Sequence, residues 1–368
     1  TYDKIKDNYW DNISDAQLID LFRLAAEKNG SSPLPVKMNN KDSLISNLIS
    51  AQNNIPTEQR SKFIPAVLGT VLSSLNPVGR SGLYTTKQEE QLKNIVENIN
   101  PDKDLYKNLG IAKGASEAAV LDVFQKQEEQ LKDQDTPEAE SKLKQLTYAK
   151  DVLTNKDRKQ NYDQKGVEPT IFTKILSPGI LYMQFKKFSP TSYDEFVKAF
   201  DSYKSDASLY ALIFDLRGNI GGTIDATAYY LGNFIGKNQY AFDFYHKGEY
   251  IPFKTPTDRL ASLNKYKQIV VLVDKETQSS AEMMAASIKK YHSGVVVGVP
   301  TKGWGTVERV FPLDNQIDPK EKYSIFLVHS ITLRDDNQPI EGRGVDPDIN
   351  IADQNWQQQL FSYFRNAN

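Results

Sequence analysis

Residues 209–222 read Leu209-Tyr210-Ala211-Leu212-Ile213-Phe214-Asp215-Leu216-Arg217-Gly218-Asn219-Ile220-Gly221-Gly222, and this stretch decides the fold. A near-continuous apolar run is what a strand buried on both faces of a parallel sheet looks like. It ends in a polar, glycine-rich turn and is followed by a helical stretch. The same rhythm recurs on either side. Gln268 to Asp274 is a second apolar strand, followed by a helix from about Ser280 to Tyr291, and Val295-Val296-Val297-Gly298-Val299 repeats the strand theme. Upstream, Ile180 to Phe185 reads as a strand and Ser192 to Tyr203 as an amphipathic helix. Strand, glycine turn, helix, strand predicts an α/β core with crossover connections from Ile171 onward.

The residues before it follow a different pattern. In the first hundred, Ile13, Leu18, Ile19, Leu21, Phe22 and Ala25 recur at helical spacings, with Ser14 placed to cap. A second such stretch, Phe63 to Leu75, stops at the breaker cluster Asn76-Pro77-Val78-Gly79. From 103 to 167, Ser116 can cap a helix running to about Leu131, and a polar break precedes a second helix from about Glu138 to Leu153. With its Leu105-Tyr106-Lys107-Asn108-Leu109-Gly110-Ile111 opening and its Arg158-Lys159-Gln160-Asn161-Tyr162-Asp163-Gln164-Lys165-Gly166 ending, this unit resembles a J domain. The His-Pro-Asp tripeptide by which J domains stimulate DnaK-type chaperones is replaced by Lys132-Asp133-Gln134. The resemblance therefore implies a spacer or docking hairpin and argues against a co-chaperone.

Bulk composition narrows the function by exclusion. Lys plus Arg total 45 against 47 for Asp plus Glu, so a nucleic-acid or anionic-membrane role has no electrostatic footprint. The chain has no cysteine, which removes disulfides, zinc thiolates and a cysteine nucleophile. No apolar run reaches the roughly 18 residues of a membrane span. A chain opening Thr1-Tyr2 reads as trimmed, so a missing leader decides nothing about compartment.

Four segments of residues 171–350 resemble, in order and spacing, the core of the C-terminal processing (tail-specific) serine proteases. They are Asp215-Leu216-Arg217-Gly218-Asn219-Ile220-Gly221-Gly222, the strand Val271 to Asp274 leading to Ser279-Ser280-Ala281-Glu282, the run Gly298 to Glu308, and Ile340-Glu341-Gly342-Arg343-Gly344-Val345-Asp346-Pro347-Asp348. The resemblance implies an α/β (α+β) protease core of the tail-specific protease/ClpP-crotonase-like type. The expected organisation is a helical N-terminal region at 1–102, the J-like hairpin at 103–167, the protease-like core at 168–353 and a C-terminal helix at 354–368. The PDZ domain such proteases carry has no strand pattern here, and the J-like unit takes its place.

For the site, the resemblance implies Ser279 as nucleophile, with Gly221, Gly222 and Ser280 supplying oxyanion-hole N–H groups. The chemistry is consistent with that. A glycine pair after a buried strand can present backbone N–H groups with no Cβ in the way, and a helix N-terminus stabilises charge near a Ser279 hydroxyl. A serine at that position is also an ordinary helix cap. The family's general base is a desolvated Lys 25 residues beyond the Ser, and 304 − 279 = 25 lands on Trp304. Four residues further, where the family has Gln, stands Glu308. An indole N–H is a donor and cannot take a proton, so the Ser-Lys mechanism is incomplete as written. Lys302 and His292 are the candidate substitute bases.

Three functions stay open on the sequence: a serine endopeptidase acting on extended polypeptide tails with a substitute base, a pseudo-protease that binds tails or a partner protein without cutting, and a chaperone adaptor. No cofactor or metal is expected. By resemblance the protein is exported, and its N-terminal helices are candidates for forming a homodimer.

Overall fold

A computed structural model describes residues 1–30, 33–35, 38–313, 315–318 and 320–366. In chain order the elements are α1 (Tyr2–Asn8), α2 (Asp15–Asn29), α3 (Lys41–Asn53), α4 (Thr57–Ser74), β1 (Gly82–Thr85), α5 (Thr86–Glu97), α6 (Leu105–Leu109), α7 (Glu117–Leu131), α8 (Pro137–Leu153), α9 (Lys156–Lys165), β2 (Ile171–Ser177), β3 (Ile180–Phe185) and α10 (Ser192–Ser202). They continue with β4 (Ala211–Asp215), α11 (Thr227–Ile235), β5 (Tyr240–His246), β6 (Glu249–Lys254), β7 (Gln268–Val273), α12 (Ser280–Lys290), β8 (Val295–Gly298), β9 (Thr306–Pro312), β10 (Tyr323–Thr332), β11 (Ile349–Asn350) and α13 (Trp356–Asn366).

The apolar runs assemble as one sheet in the order β11-β8-β7-β4-β3-β2, parallel except for the β2–β3 hairpin. Parallel neighbours need crossovers, and α10, α11 and α12 supply them on one face. Their apolar stripes meet the sheet in the main core, where Phe185, Phe196, Phe200, Phe214 and Tyr230 are fully buried. On the opposite face α13 lays Trp356 and Leu360 against Val270, Leu272 and Val297. This is the mixed α/β core expected from the 209–222 stretch.

A second, antiparallel sheet runs β1-β10-β5-β6, with β9 also paired to β10. The N-terminal helices close over it. Phe22, Val67 and Leu72 share one apolar cluster with Ile325 and Leu327 of β10. Their buried faces are therefore turned to the chain's own sheet, and no dimer follows from them. Ser14 caps α2 as expected, its Oγ accepting the Gln17 N–H at 3.2 Å while Gln17 Oε1 accepts the Ser14 N–H at 2.9 Å. The first hundred residues are not wholly helical, because β1 lies within them. Four residues after a breaker cluster show no alternation, and only pairing with β10, some 240 residues away, makes Gly82–Thr85 a strand.

Between these parts, α7 and α8 form a helical hairpin with its own small core of Leu105, Tyr106, Leu109, Val120, Leu146, Val152 and Leu153. Ser116 Oγ accepts the Ala119 N–H at 3.3 Å, and Thr136 Oγ1 the Ala139 N–H at 3.1 Å, just before Pro137 begins α8. Lys132, Asp133 and Gln134 are exposed in the turn between the two helices. The hairpin is tied to its neighbours through Glu168, a buried carboxylate that accepts hydrogen bonds from Tyr148 and from Lys103 at 2.6 Å.

Candidate active site

The site is built where β4 and β7 end. Asp215, buried at the end of β4, accepts hydrogen bonds from Tyr182 Oη at 2.6 Å and from Arg217 Nε at 2.9 Å, which holds its carboxyl below the usual carboxylate range despite burial. Beyond it, the fully buried Asn219 staples the glycine turn in place. Its Nδ2 donates to Phe185 O at 2.7 Å, its Oδ1 accepts the Gly221 N–H at 2.8 Å, and its carbonyl accepts the Gln278 N–H at 2.9 Å. The turn thus lies directly on the segment carrying Ser279. A Cβ on Gly221 would come within 2.6 Å of Ser279 Cβ, and one on Gly222 within 2.1 Å of Phe188 O. Both glycines also have positive φ, 81° and 140°. Only glycine fits either position.

This geometry narrows the set of candidate oxyanion donors. The Gly221 N–H is already taken by Asn219. Among the described residues, the N–H groups of Gly222 and Ser280 donate to no protein acceptor, and Ser280 Oγ donates to Gly222 O at 3.2 Å, so these two residues are adjacent. They form the available donor pair.

Ser279 sits between β7 and α12 with φ 57° and ψ −125°. A non-glycine residue in that region is strained by roughly 1–3 kcal/mol and persists only when its surroundings hold it. Here the holding group is Glu282. Its carboxylate, wholly out of solvent, accepts four hydrogen bonds: Ser279 N–H at 2.8 Å and Trp304 N–H at 2.8 Å on Oε2, Gly303 N–H at 2.7 Å and Thr301 Oγ1 at 2.5 Å on Oε1. Burial lifts this carboxyl above its ordinary range while those four donors pull against the shift. The consequence for the site is direct. The backbones of Ser279 and Trp304 hang from the same carboxylate oxygen.

The indole of Trp304 is fixed on two further sides. Its Nε1–H donates to Glu308 Oε1 at 3.1 Å, an oxygen that also accepts Thr306 Oγ1 at 2.5 Å. The guanidinium of Arg80 lies over the ring, 3.6 Å from its centroid. Burial pushes the Glu308 carboxyl up to about 7, only partly offset by those donors and by Arg80. No lysine, histidine or carboxylate side chain among the described residues is hydrogen-bonded to the Ser279 hydroxyl.

Neither substitute base is brought to Ser279. Lys302 points to solvent and pairs with Glu276 at 3.4 Å. His292 follows the far end of α12, and an 11-residue helix puts it roughly 16 Å along the axis from Ser279. The remaining histidines, His246 and His329, stack on each other at 4.4 Å in the second sheet. Two contributors carried no sequence signal. Arg80 lies in a loop of the N-terminal region, and Glu341, which anchors it, lay in a quoted motif without any assigned role.

The raised Glu308 value has a testable sign. The folded protein keeps this proton between the ordinary value of 4.5 and about 7, a range in which the unfolded chain has lost it. Stability is therefore fully present below that window and declines as pH rises through it. The decline is expected to amount to about 1–2 kcal/mol for this partly exposed group. Glu308→Gln should abolish that share, checked by chemical denaturation of both proteins at pH 5 and pH 8.

Comparison with known proteins agrees with the geometry. The model of peptidase family S41 matches residues 179–351. The carboxy-terminal processing protease CtpA of Bacillus subtilis is 30% identical over 182 residues, covering 49% of this chain and 36% of that protein. The chain spans less than two fifths of the length of the curated relatives of this kind that it matches first. A 68-residue stretch, 18% of either chain, is 37% identical to the chaperone protein DnaJ of Haloarcula marismortui. A solved lipoprotein from Streptococcus agalactiae shares the fold across 100% of this chain and 94% of its own, with a TM-score of 0.52 at 12% identity. With the S41 match lying over the sheet and loops that carry Ser279, Gly222 and Glu282, residues 179–351 form a domain similar to peptidase family S41.

Proposed function

We propose that the S41-like domain of this chain holds extended polypeptide tails in the groove beside Ser279 and does not cleave them. One observation carries the reading: the residue hung opposite Ser279 on the shared Glu282 oxygen is Trp304, whose indole can donate but not accept a proton. A serine hydroxyl with no acceptor for its proton is a poor nucleophile. The other parts of a tail-binding site remain, since the Gly222 and Ser280 N–H groups face no protein acceptor and a bound carbonyl can take them. Binding would add the polypeptide as an extended strand through backbone hydrogen bonds. On this reading the protein acts on exported chains, outside the cytoplasm. No helix among the described residues is long and apolar enough to cross a membrane.

Active-site labelling with a fluorophosphonate tests the proposal. Wild type and Ser279→Ala should label equally weakly. Strong labelling that disappears in Ser279→Ala would overturn it. A second reading, a working peptidase, has Glu308 in its favour, because a carboxyl held near 7 is poised to exchange protons at neutral pH. That reading requires labelling to vanish in Glu308→Gln as well.

The J-like unit is assigned a spacer or docking role. With Lys132-Asp133-Gln134 in its turn, this chain is expected to leave the ATP hydrolysis of a DnaK-type chaperone at its basal rate. Stimulation in a coupled ATPase assay would restore the adaptor reading.

A further inference from the structure

We infer that Arg80, which lies outside the S41-like domain, is a positioning residue of the groove that sets the pose of Trp304 and thereby the grip on bound polypeptide. The inference rests on the tail-binding reading above for its functional half and on geometry alone for its structural half. Arg80 stands in the loop between α4 and β1, more than 200 residues from Trp304 in sequence. Its guanidinium carbon lies over the indole, 3.6 Å from the ring centroid.

The guanidinium is itself held. Nε and Nη2 both lie 2.9 Å from Glu341 Oε1, and Nη2 makes a longer bond of 3.5 Å to Gly303 O. The second Glu341 oxygen accepts the Gly305 N–H at 2.8 Å. Arg80 and Glu341 therefore bracket Trp304 by its two chain neighbours as well as by its ring, and both side chains are largely buried, at 20% and 14% exposure. An arginine is suited to this because its planar fork can stack and make paired bonds at once, which an ammonium cannot. Together with Glu282 on the backbone and Glu308 on the indole edge, Arg80 fixes the third side of the residue. A bound chain can stack only on the indole face that Arg80 leaves uncovered.

The test uses the full chain with Trp10→Phe and Trp356→Phe, leaving Trp304 as its single tryptophan. Losing the stack shifts the ratio of stacked to unstacked indole by roughly 2- to 30-fold. Acrylamide quenching of Trp304 should accordingly rise in Arg80→Gln, rise also in Glu341→Gln where the guanidinium is present but unanchored, and fall between the two extremes in Arg80→Lys. The affinity for a fluorescein-labelled, unstructured decapeptide with a free carboxyl terminus should weaken in the same order. Unchanged quenching in Arg80→Gln and Glu341→Gln, in proteins with wild-type circular dichroism, overturns the inference. Raised quenching with unchanged decapeptide affinity overturns its functional half. If no form binds the decapeptide, wild type included, the tail-binding reading fails while the hold of Arg80 on Trp304 stands.

Discussion

Replacing Glu282 by Gln is expected to destabilise the protein by about 3–5 kcal/mol, through loss of the one carboxylate that joins the Ser279 turn to the Trp304 segment. All four partners of Glu282 are donors, and three are backbone N–H groups that cannot turn away. An amide keeps one acceptor oxygen and replaces the other with a donor pair. Whichever way it is flipped, one or two backbone N–H groups then face an N–H₂ in a site that excludes water. Ser279 is also in a strained conformation that its own backbone does not favour, so losing the 2.8 Å bond to its N–H lets the turn relax. Denaturant unfolding measures the first effect. A change of less than about 1 kcal/mol would mean that Glu282 is not the group holding the two segments together.

The second large effect is a gain. The double variant Trp304→Lys/Glu308→Gln returns to this chain the two residues that the C-terminal processing proteases, by resemblance, carry at these positions. Arg80, which now covers the indole, would sit beside the new amine and lower its pKa, as would the partly buried surroundings. Both favour the neutral amine that can take the Ser279 proton. Removing the Glu308 carboxylate prevents an ion pair that would keep the lysine charged. A positioned base is worth roughly 10²- to 10⁴-fold in rate, and fluorophosphonate labelling of Ser279 is expected to rise within that range. Ser279→Ala in the same background should return it to zero. If the double variant stays unlabelled while melting like wild type, something other than the missing base silences Ser279.

Legibility in the sequence followed the range of the interactions. β4, β7 and β8 could be read because a doubly buried strand writes its burial as an unbroken apolar run. The hairpin α7–α8 could be read because Ser116 marks a helix start through a contact three residues away and a polar break separates the two helices. The second sheet could not. β10 draws β1 and β5 from distant parts of the chain, and the short β1 carries no alternation of its own. At the site, the resemblance to the C-terminal processing proteases placed Trp304 where they carry their lysine, but its surroundings were not legible. Nothing local marks Arg80 as a ring partner, and the elevated proton affinity of Glu308 arises from burial that only the folded chain creates. The same limit applied to His292. Its nearness to Ser279 in sequence was misleading, because the helix already read between them carries it away.

The cluster shared by the N-terminal helices and β10 bears on how the protein can be taken apart. A fragment cut to residues 179–351 would expose Ile325 and Leu327, fully buried in the intact chain, as a bare apolar ridge, and would lose β1 from one side of β10. Such a fragment is a poor reporter of peptidase competence, because insolubility and inactivity would look alike. Dissection experiments should keep the first 85 residues joined to the S41-like domain and remove the helical hairpin instead, whose core is its own.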